Sequence, residues 1–244
     1  MSAFTTIAEF YEVLSDSNAR LEREGPLLKQ CLEQAPGKRV LDVACGTGLH
    51  AGFLAELDAN VTAFDASPEM IEHAGDRRPH EKVTYAVCDM RDIEGGPWDL
   101  ALCLGNSITL LDSLEDVRTT MAAVHASLAP GGLFVVQIIN YAAESAQQPR
   151  HRIETKMVDE REIVAVKNLV PHADRTLLSL AFFCRQDGEY SSASETSVQM
   201  NLRREELEQA ATEAGFQVKA IYGAFDRSEY VAAASPDVVL VLQH

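Results

Sequence analysis

Several features that would place a chain in a special class are missing from this sequence. It has no run of about 20 uninterrupted apolar residues, which a membrane-spanning helix needs. Its N-terminal segment, MSAFTTIAEFYEV, lacks the basic region and apolar core of a secretory signal. Its five cysteines are an odd number without a C-x-x-C pair, which argues against a disulfide framework or a zinc site. We therefore expect a cytoplasmic protein with no metal centre.

Basic residues are scarce relative to acidic ones. The chain has 21 Lys and Arg against 37 Asp and Glu, a formal net charge of −16. Nucleic acids and anionic membranes are bound largely through Lys and Arg, so this excess of carboxylates argues against both partners. A small-molecule substrate is the expected partner, and 244 residues suffice for one domain with an elaboration.

Strand-like apolar runs alternate with amphipathic segments along most of the chain. This order predicts an α/β fold with a largely parallel sheet. The predicted strands cover residues 39–44, 60–64, 82–88, 98–104, 133–139, 216–222 and 238–243. The predicted helices cover residues 16–35 with a break at Gly25-Pro26, 49–57, a segment beginning after Ser67, 113–128 and 203–214.

The alternation of strands and helices stops between residues 142 and 202, where strand-like runs follow one another without predicted helices. The runs are Glu162–Val166, Thr176–Cys184 and Ser197–Leu202, and Asp187-Gly188 is a hairpin turn signal. The pattern predicts an inserted antiparallel cap over 142–202, serving as a lid or as a dimerisation surface. The remaining chain divides into an N-terminal helical segment, 1–36, and a core formed by 37–141 and 203–244.

A glycine turn joins the first predicted strand to the helix after it. Gly46 and Gly48 remove side chains where backbone must approach a ligand closely. The segment from Gly46 to Ala51 also fits the dinucleotide pattern G-x-G-x-x-A, so an NAD-dependent oxidoreductase remains an alternative.

Carboxylates follow at the ends of three successive predicted strands. Asp42 precedes the glycines, where it suits a cationic ligand better than a pyrophosphate. Asp65 ends the second strand, where it can accept hydrogen bonds from ribose hydroxyls, and Asp89 ends the third, within reach of an adenine amino group. Ligands of open α/β sheets bind at this edge.

These segments resemble the motifs of one enzyme superfamily. VLDVACGTG followed by VTAFDASPEM resembles the first two motifs of class I S-adenosylmethionine-dependent methyltransferases, CDM is similar to the third, and LAPGG resembles the turn before the fifth strand. More narrowly, the chain resembles the glycine/sarcosine N-methyltransferases over about residues 39–141. The resemblance implies a Rossmann-like seven-stranded, mostly parallel sheet with helices on both faces.

The resemblance also implies site residues. The implied contacts to S-adenosylmethionine are Tyr11, Asp42, Cys45, Gly46, Gly48, Asp65, Ala66, Asp89, Met90, Leu104 and Asn106. Within that set Asp65 holds the ribose, Asp89 and Met90 hold the adenine, and Tyr11 closes over the cofactor. The implied substrate contacts are Asn106, Asn140 and Tyr141. No residue is assigned as a general base, because an amine nucleophile only has to arrive deprotonated.

The predicted function is therefore methyl transfer from S-adenosylmethionine to nitrogen or oxygen of a small molecule. A second alternative is a non-catalytic S-adenosylmethionine-binding regulatory protein. Glycine-type relatives carry an arginine just before the Asn-Tyr pair, and here that position is Ile139. Isoleucine cannot replace a bidentate guanidinium, so we expect poor use of glycine and sarcosine and a larger or less anionic acceptor. Arg150 or Arg152 could restore the missing charge.

Overall fold

The computed structural model describes residues 8, 10, 11, 14, 16–158 and 160–244. Parts of the predicted N-terminal segment 1–36 therefore lie outside the described residues. The strands are β1 Arg39–Val43, β2 Asn60–Asp65, β3 Val83–Val87, β4 Trp98–Cys103, β5 Leu128–Ile139, β6 Arg150–Val158, β7 Arg161–His172, β8 Arg175–Gln186, β9 Glu189–Met200, β10 Gln217–Tyr222 and β11 Asp237–Gln243. The α-helices are α1 Ser17–Gln34, α2 Leu49–Glu56, α3 Pro68–Arg77, α4 Leu114–Ser127 and α5 Arg204–Glu213.

Seven strands form one sheet in the order β10-β11-β5-β4-β1-β2-β3. Strand β11 runs antiparallel to both of its neighbours, and the other strands of this sheet are parallel to one another. The predicted Rossmann-like sheet is thus confirmed. The chain moves outward from β1 to β3 and then returns to β4 on the other side of β1. This reversal opens a crevice between the carboxyl ends of β1 and β4, where ligands of such sheets bind.

Helices cover both faces of this sheet because the strands are apolar on both sides. In β1, Leu41 and Val43 belong to the cluster that packs under α4 and α5. Val40 points to the other face and joins the cluster under α1 and α2. The predicted Ser67 cap is also present, since Met70 N donates to Ser67 Oγ at 3.3 Å and Pro68 begins α3.

The insert forms a separate antiparallel sheet in the order β6-β7-β8-β9, which we call the cap. The predicted antiparallel cap is confirmed, and its hairpin turns at Asp187 and Gly188, whose φ angles are 52° and 83°. The sequence pattern missed β6, because polar and charged side chains occupy most of both of its faces.

Helix α1 differs from its prediction. It continues through Pro26, although a break at Gly25-Pro26 was expected. Burial explains the continuity, since Leu27 and Leu28 on this helix pack fully into the core. Gly25 also permits close contact, because a Cβ there would lie 3.0 Å from a ring carbon of Phe53.

The described residues before α1 pack on the cap. Phe10 stacks on Phe182 with ring centroids 5.4 Å apart, and Leu14 joins the same buried cluster. The cap is therefore tied to the N-terminal segment as well as to β5. Among the described residues no helix combines the length and apolarity needed to cross a membrane.

Candidate active site

Two adjoining cavities open at the carboxyl edge of the parallel sheet. The larger has a volume of about 430 Å³ and extends from the ends of β1, β2 and β4 to the cap. The smaller, of about 250 Å³, lies beside the ends of β2 and β3. Both are lined by Ala44, Asp65, Ala66, Ser107 and Leu110, so they form one bent cleft.

Asp42 is the most deeply buried acid of the larger cavity, with 1% of its surface exposed. The N–H of Ala51 hydrogen-bonds to its carboxyl group, whereas its Oδ2 has no hydrogen-bond partner among the described residues. Burial raises the pKa of Asp42 to about 6, against the lowering influence of His50 and Arg20. A buried carboxylate oxygen with free hydrogen-bonding capacity suits a cationic ligand.

The two glycines of the turn have different roles. Gly46 lines the larger cavity at φ 54°, and a Cβ added there would meet no atom within 4 Å, so the space beside it is open to a ligand. Gly48 lies on the wall of neither cavity. A Cβ on Gly48 would lie 2.6 Å from the hydroxyl oxygen of Tyr85. The missing side chain of Gly48 therefore accommodates Tyr85, and its contact with the cofactor stays a prediction.

Asp65 lies where the two cavities meet. Its Oδ2 accepts from Gly46 N at 2.8 Å and its Oδ1 accepts from Ser67 N at 2.9 Å. Each oxygen retains a lone pair that can accept from a diol. Asp65 thus fixes the glycine turn to the start of α3 while facing the cleft.

The smaller cavity contains the predicted adenine contacts Asp89 and Met90. Arg91 donates to both carboxylate oxygens of Asp89, at 2.9 and 2.7 Å. These hydrogen bonds hold the pKa of Asp89 below its ordinary value. A partly apolar cavity in which the Asp89 carboxylate is held in place suits a purine ring bearing an amino group.

A buried ionic network forms the wall nearest α1, and the sequence interpretation missed it. Glu24 is 3% exposed and accepts from Arg20 Nε at 3.1 Å, and His50 Nε2 lies 2.7 Å from its Oε2. Burial opposes ionisation, but the contacts with His50 and Arg20 outweigh it and lower the pKa of Glu24. Arg20 and His50 both line the larger cavity. The i,i+4 spacing of Arg20 and Glu24 was visible in the sequence, but the partner on α2 was not.

Other predicted cofactor contacts also line the larger cavity, namely Tyr11, Cys45, Ala66 and Leu104. The carbonyl of Leu104 accepts from Ser107 Oγ at 2.8 Å and keeps one lone pair. The cap closes the opposite side with Leu178, Leu180, Glu195, Ser197 and Gln199.

The three predicted substrate contacts lie on the wall of neither cavity. Asn106 Nδ2 donates to Thr109 Oγ1 and to the Tyr141 hydroxyl, both at 2.8 Å, and its Oδ1 accepts from Ile139 N. Asn140 Nδ2 donates to two carbonyls of the segment before β11, at 2.9 Å each. Asn106 and Tyr141 therefore join the loop after β4 to β5 and to Gln199 of the cap, whereas Asn140 joins the end of β5 to the segment before β11.

Comparison with known proteins identifies the relatives of this architecture. Residues 40–132 match a family model described as a methyltransferase domain. A glycine/sarcosine N-methyltransferase from Halorhodospira halochloris is 36% identical over 138 residues, which cover 54% of this chain and 51% of that protein. The chain thus spans about half the length of that curated relative.

Solved structures extend the likeness over nearly the whole chain. A sugar N-methyltransferase from a Streptoalloteichus species superposes with a TM-score of 0.79 at 20% identity, covering 99% of this chain and 94% of that one. An amino pentose methyltransferase from Micromonospora echinaspora, solved with S-adenosylmethionine bound, gives a TM-score of 0.74 at 21% identity and covers 100% and 98%. At this identity the structures show the shared fold, cap included. Neither comparison supports the oxidoreductase or the regulatory alternative.

Proposed function

We propose, from the premise that the chain carries a class I S-adenosylmethionine-dependent methyltransferase domain, that it is an enzyme that methylates a small molecule. The favoured nucleophile is an amine nitrogen, since the glycine/sarcosine enzyme and the sugar N-methyltransferase that the chain resembles are both named for it. A cytoplasmic location is part of the proposal. It is consistent with five free cysteines, because disulfides persist in oxidising compartments.

The observation that carries the proposal is the unpartnered Oδ2 of Asp42 beside the open space at Gly46. Arg20 lies across the same cavity, with its guanidinium next to Gly105. One buried anion facing one cation matches the ammonium and carboxylate of an amino acid. Asp65 then faces the ribose and the smaller cavity takes the adenine. A dinucleotide pyrophosphate would instead be placed beside Asp42, which repels it.

Bound S-adenosylmethionine would supply a methyl group already activated by a sulfonium. The protein therefore has to bind, orient and exclude water. Asp42, Arg20 and Asp65 hold the polar ends of the cofactor and so fix where its methyl lies. The cap and Tyr11 close the cleft on the acceptor side. No step requires a covalent enzyme intermediate.

The test uses the full chain and separates the alternatives. Calorimetry with S-adenosylhomocysteine and with NAD decides which cofactor binds. Incubation with S-adenosylmethionine and a fractionated small-molecule extract, followed by mass spectrometry, then detects S-adenosylhomocysteine and the methylated product. Binding with turnover supports the proposal. Binding without turnover in any fraction would indicate the regulatory protein, and binding of NAD alone the oxidoreductase.

We further propose that the enzyme is a homodimer formed through the outer face of the cap. This face, turned away from the cavity, carries large exposed side chains with little charge between them. They are Ile153, Met157, Val170, Leu177, Phe183, Tyr190 and Val198. Three strands of 12 residues and one of 9 give a face of roughly 750 Å², close to the roughly 800 Å² that each partner contributes to a standard interface.

A second copy is the favoured occupant of that face. Two chains of net charge −16 repel each other over most of their surfaces, but this face carries few charges, Glu162 paired with Arg185 at one end and Arg175 at the other. A sheet face with few charges can also pair with itself around a two-fold axis. Light scattering should give twice the chain mass. Phe183→Glu should yield a monomer, whereas the control Val218→Glu on β10 should remain a dimer. A monomeric wild type would refute the assembly.

A further inference from the structure

Two basic side chains on the cap have no partner within the described part of the chain. Neither Arg150 on β6 nor Lys167 on β7 makes a hydrogen bond or ion pair with any described residue. Both are half-buried, and Nε of Arg150 is inaccessible to solvent and unsatisfied. Burying a cation without a counter-charge is costly, so such a pair indicates a place for an anion.

Strand register places both side chains on the face that closes the active site. Lys167 is directly opposite Leu180, and Leu180 is opposite Glu195. Arg150 is opposite Leu169, which is in turn opposite Leu178. Leu178, Leu180 and Glu195 line the larger cavity, whereas Arg150 and Lys167 line neither cavity. Because opposed residues of antiparallel strands point to the same side, the two cations lie roughly one and two strand spacings, about 5 and 10 Å, from the leucine wall.

The surroundings of Lys167 are positive. Burial lowers the pKa of Lys167, and the charges of Arg152, Arg150 and Arg20 lower it further. Arg152 is paired with Glu154 and Arg20 with Glu24, which leaves Lys167 and Arg150 without an ion-pair partner among the described residues. Asp237, at the edge of the main sheet, accepts from Gln137, and burial raises its pKa against the opposing charge of Arg150, with which it forms no ion pair within the described residues. This positive cluster stands out in a chain with a net charge of −16.

We propose that the acceptor of the methyl group carries an oxyanion, a carboxylate or a phosphate, and that Arg150 and Lys167 bind it. This inference rests on the proposed methyltransferase function and names its substrate class. The sequence predicted an acceptor that is larger or less anionic than glycine. The proposal keeps the larger size and replaces the lower negative charge by an oxyanion. The anion site lies beyond the leucine wall, so the acceptor must extend from the cofactor methyl past Leu178 and Leu180. Glycine, whose amine and carboxylate are two bonds apart, is too short.

The test measures anion binding directly, without knowledge of the acceptor. The full chain is saturated with S-adenosylhomocysteine and titrated with inorganic phosphate in one arm and acetate in the other, at constant ionic strength, while its melting temperature is followed. The variants are Lys167→Met and Arg150→Gln, and the control is Lys219→Met on the distant strand β10.

We expect an anion to raise the melting temperature of the wild type and of the control. In either cap variant its apparent affinity should fall at least about tenfold. Lys167→Met should be no less stable than the wild type without anion, because it removes an uncompensated buried charge. The arm with tighter binding distinguishes phosphate from carboxylate. No anion binding by the wild type, or binding unchanged in both variants, would overturn the proposal. Calorimetry with S-adenosylhomocysteine reports separately on the methyltransferase function, so the two failures are distinguishable.

Discussion

Replacing Asp42 by asparagine should make the protein more stable and less able to bind S-adenosylmethionine. Asp42 is 1% exposed, and burial raises its pKa from the ordinary 3.8 to about 6. The folded protein therefore holds a proton on Asp42 that the unfolded chain has already released. Stability from this group is present below about pH 4, falls as the pH rises toward 6, and is lost above that value.

The size of the expected stability change follows from the rise in the pKa of Asp42. At about 1.36 kcal/mol per pKa unit, keeping Asp42 ionised above pH 6 costs the native state about 3 kcal/mol. Asparagine has nearly the same shape and no charge, so Asp42→Asn should recover up to that amount at pH 8 and almost nothing at pH 4. For a chain of this size the gain corresponds to a rise in Tm of about 6–12 °C. The loss of a charge-assisted hydrogen bond should weaken cofactor binding at least about tenfold.

The assay is thermal unfolding across this pH range combined with calorimetric titration of S-adenosylmethionine. Asp99→Asn is the matched control, because Asp99 is also buried, with 4% of its surface exposed, but accepts from Arg39 N, Nε and Nη2 at the opposite end of the strands. Burial by itself would raise the pKa of Asp99. The hydrogen bonds from Arg39 outweigh this effect and hold the pKa below its ordinary value. Asp99→Asn should lose stability and bind cofactor normally. A destabilised Asp42→Asn at pH 8, or one with unchanged cofactor affinity, would refute the reasoning.

Three further predictions concern the cleft. Asp65→Ala should weaken cofactor binding by at least about tenfold in calorimetry, since two charge-assisted hydrogen bonds are removed; unchanged affinity would contradict the ribose assignment. Gly46→Ala should impair cofactor binding more than stability, whereas Gly48→Ala should chiefly lower Tm through its clash with Tyr85. The reverse pattern in melting and titration would show that the two glycines were assigned wrongly. With saturating glycine or sarcosine, formation of S-adenosylhomocysteine should stay well below about 1 per second, and turnover near that rate would defeat the expectation drawn from Ile139.

The sequence by itself determined the elements whose causes are local. Apolar runs with turn residues between them located the seven strands of the main sheet within a few residues. Ser67 marked the start of α3, because capping and the φ restriction of Pro68 act within a few residues. The sequence also placed the acids Asp42, Asp65 and Asp89 together, because the carboxyl ends of parallel strands meet at one edge of the sheet.

Tertiary structure alone decided what depends on partners distant in the chain. Gly48 and Asn106 belong to recognised motifs, yet Tyr85 and Tyr141 determine what they contact. The sequence does not indicate that Arg20 and Glu24 meet His50, or that Nε of Arg150 in the cap is buried without a hydrogen-bond partner among the described residues. These outcomes are set by which surfaces the packing of the cap and α1 excludes from water. Whether a buried polar atom has a hydrogen-bond partner, or remains available to a ligand, depends on the neighbours that the fold places around it.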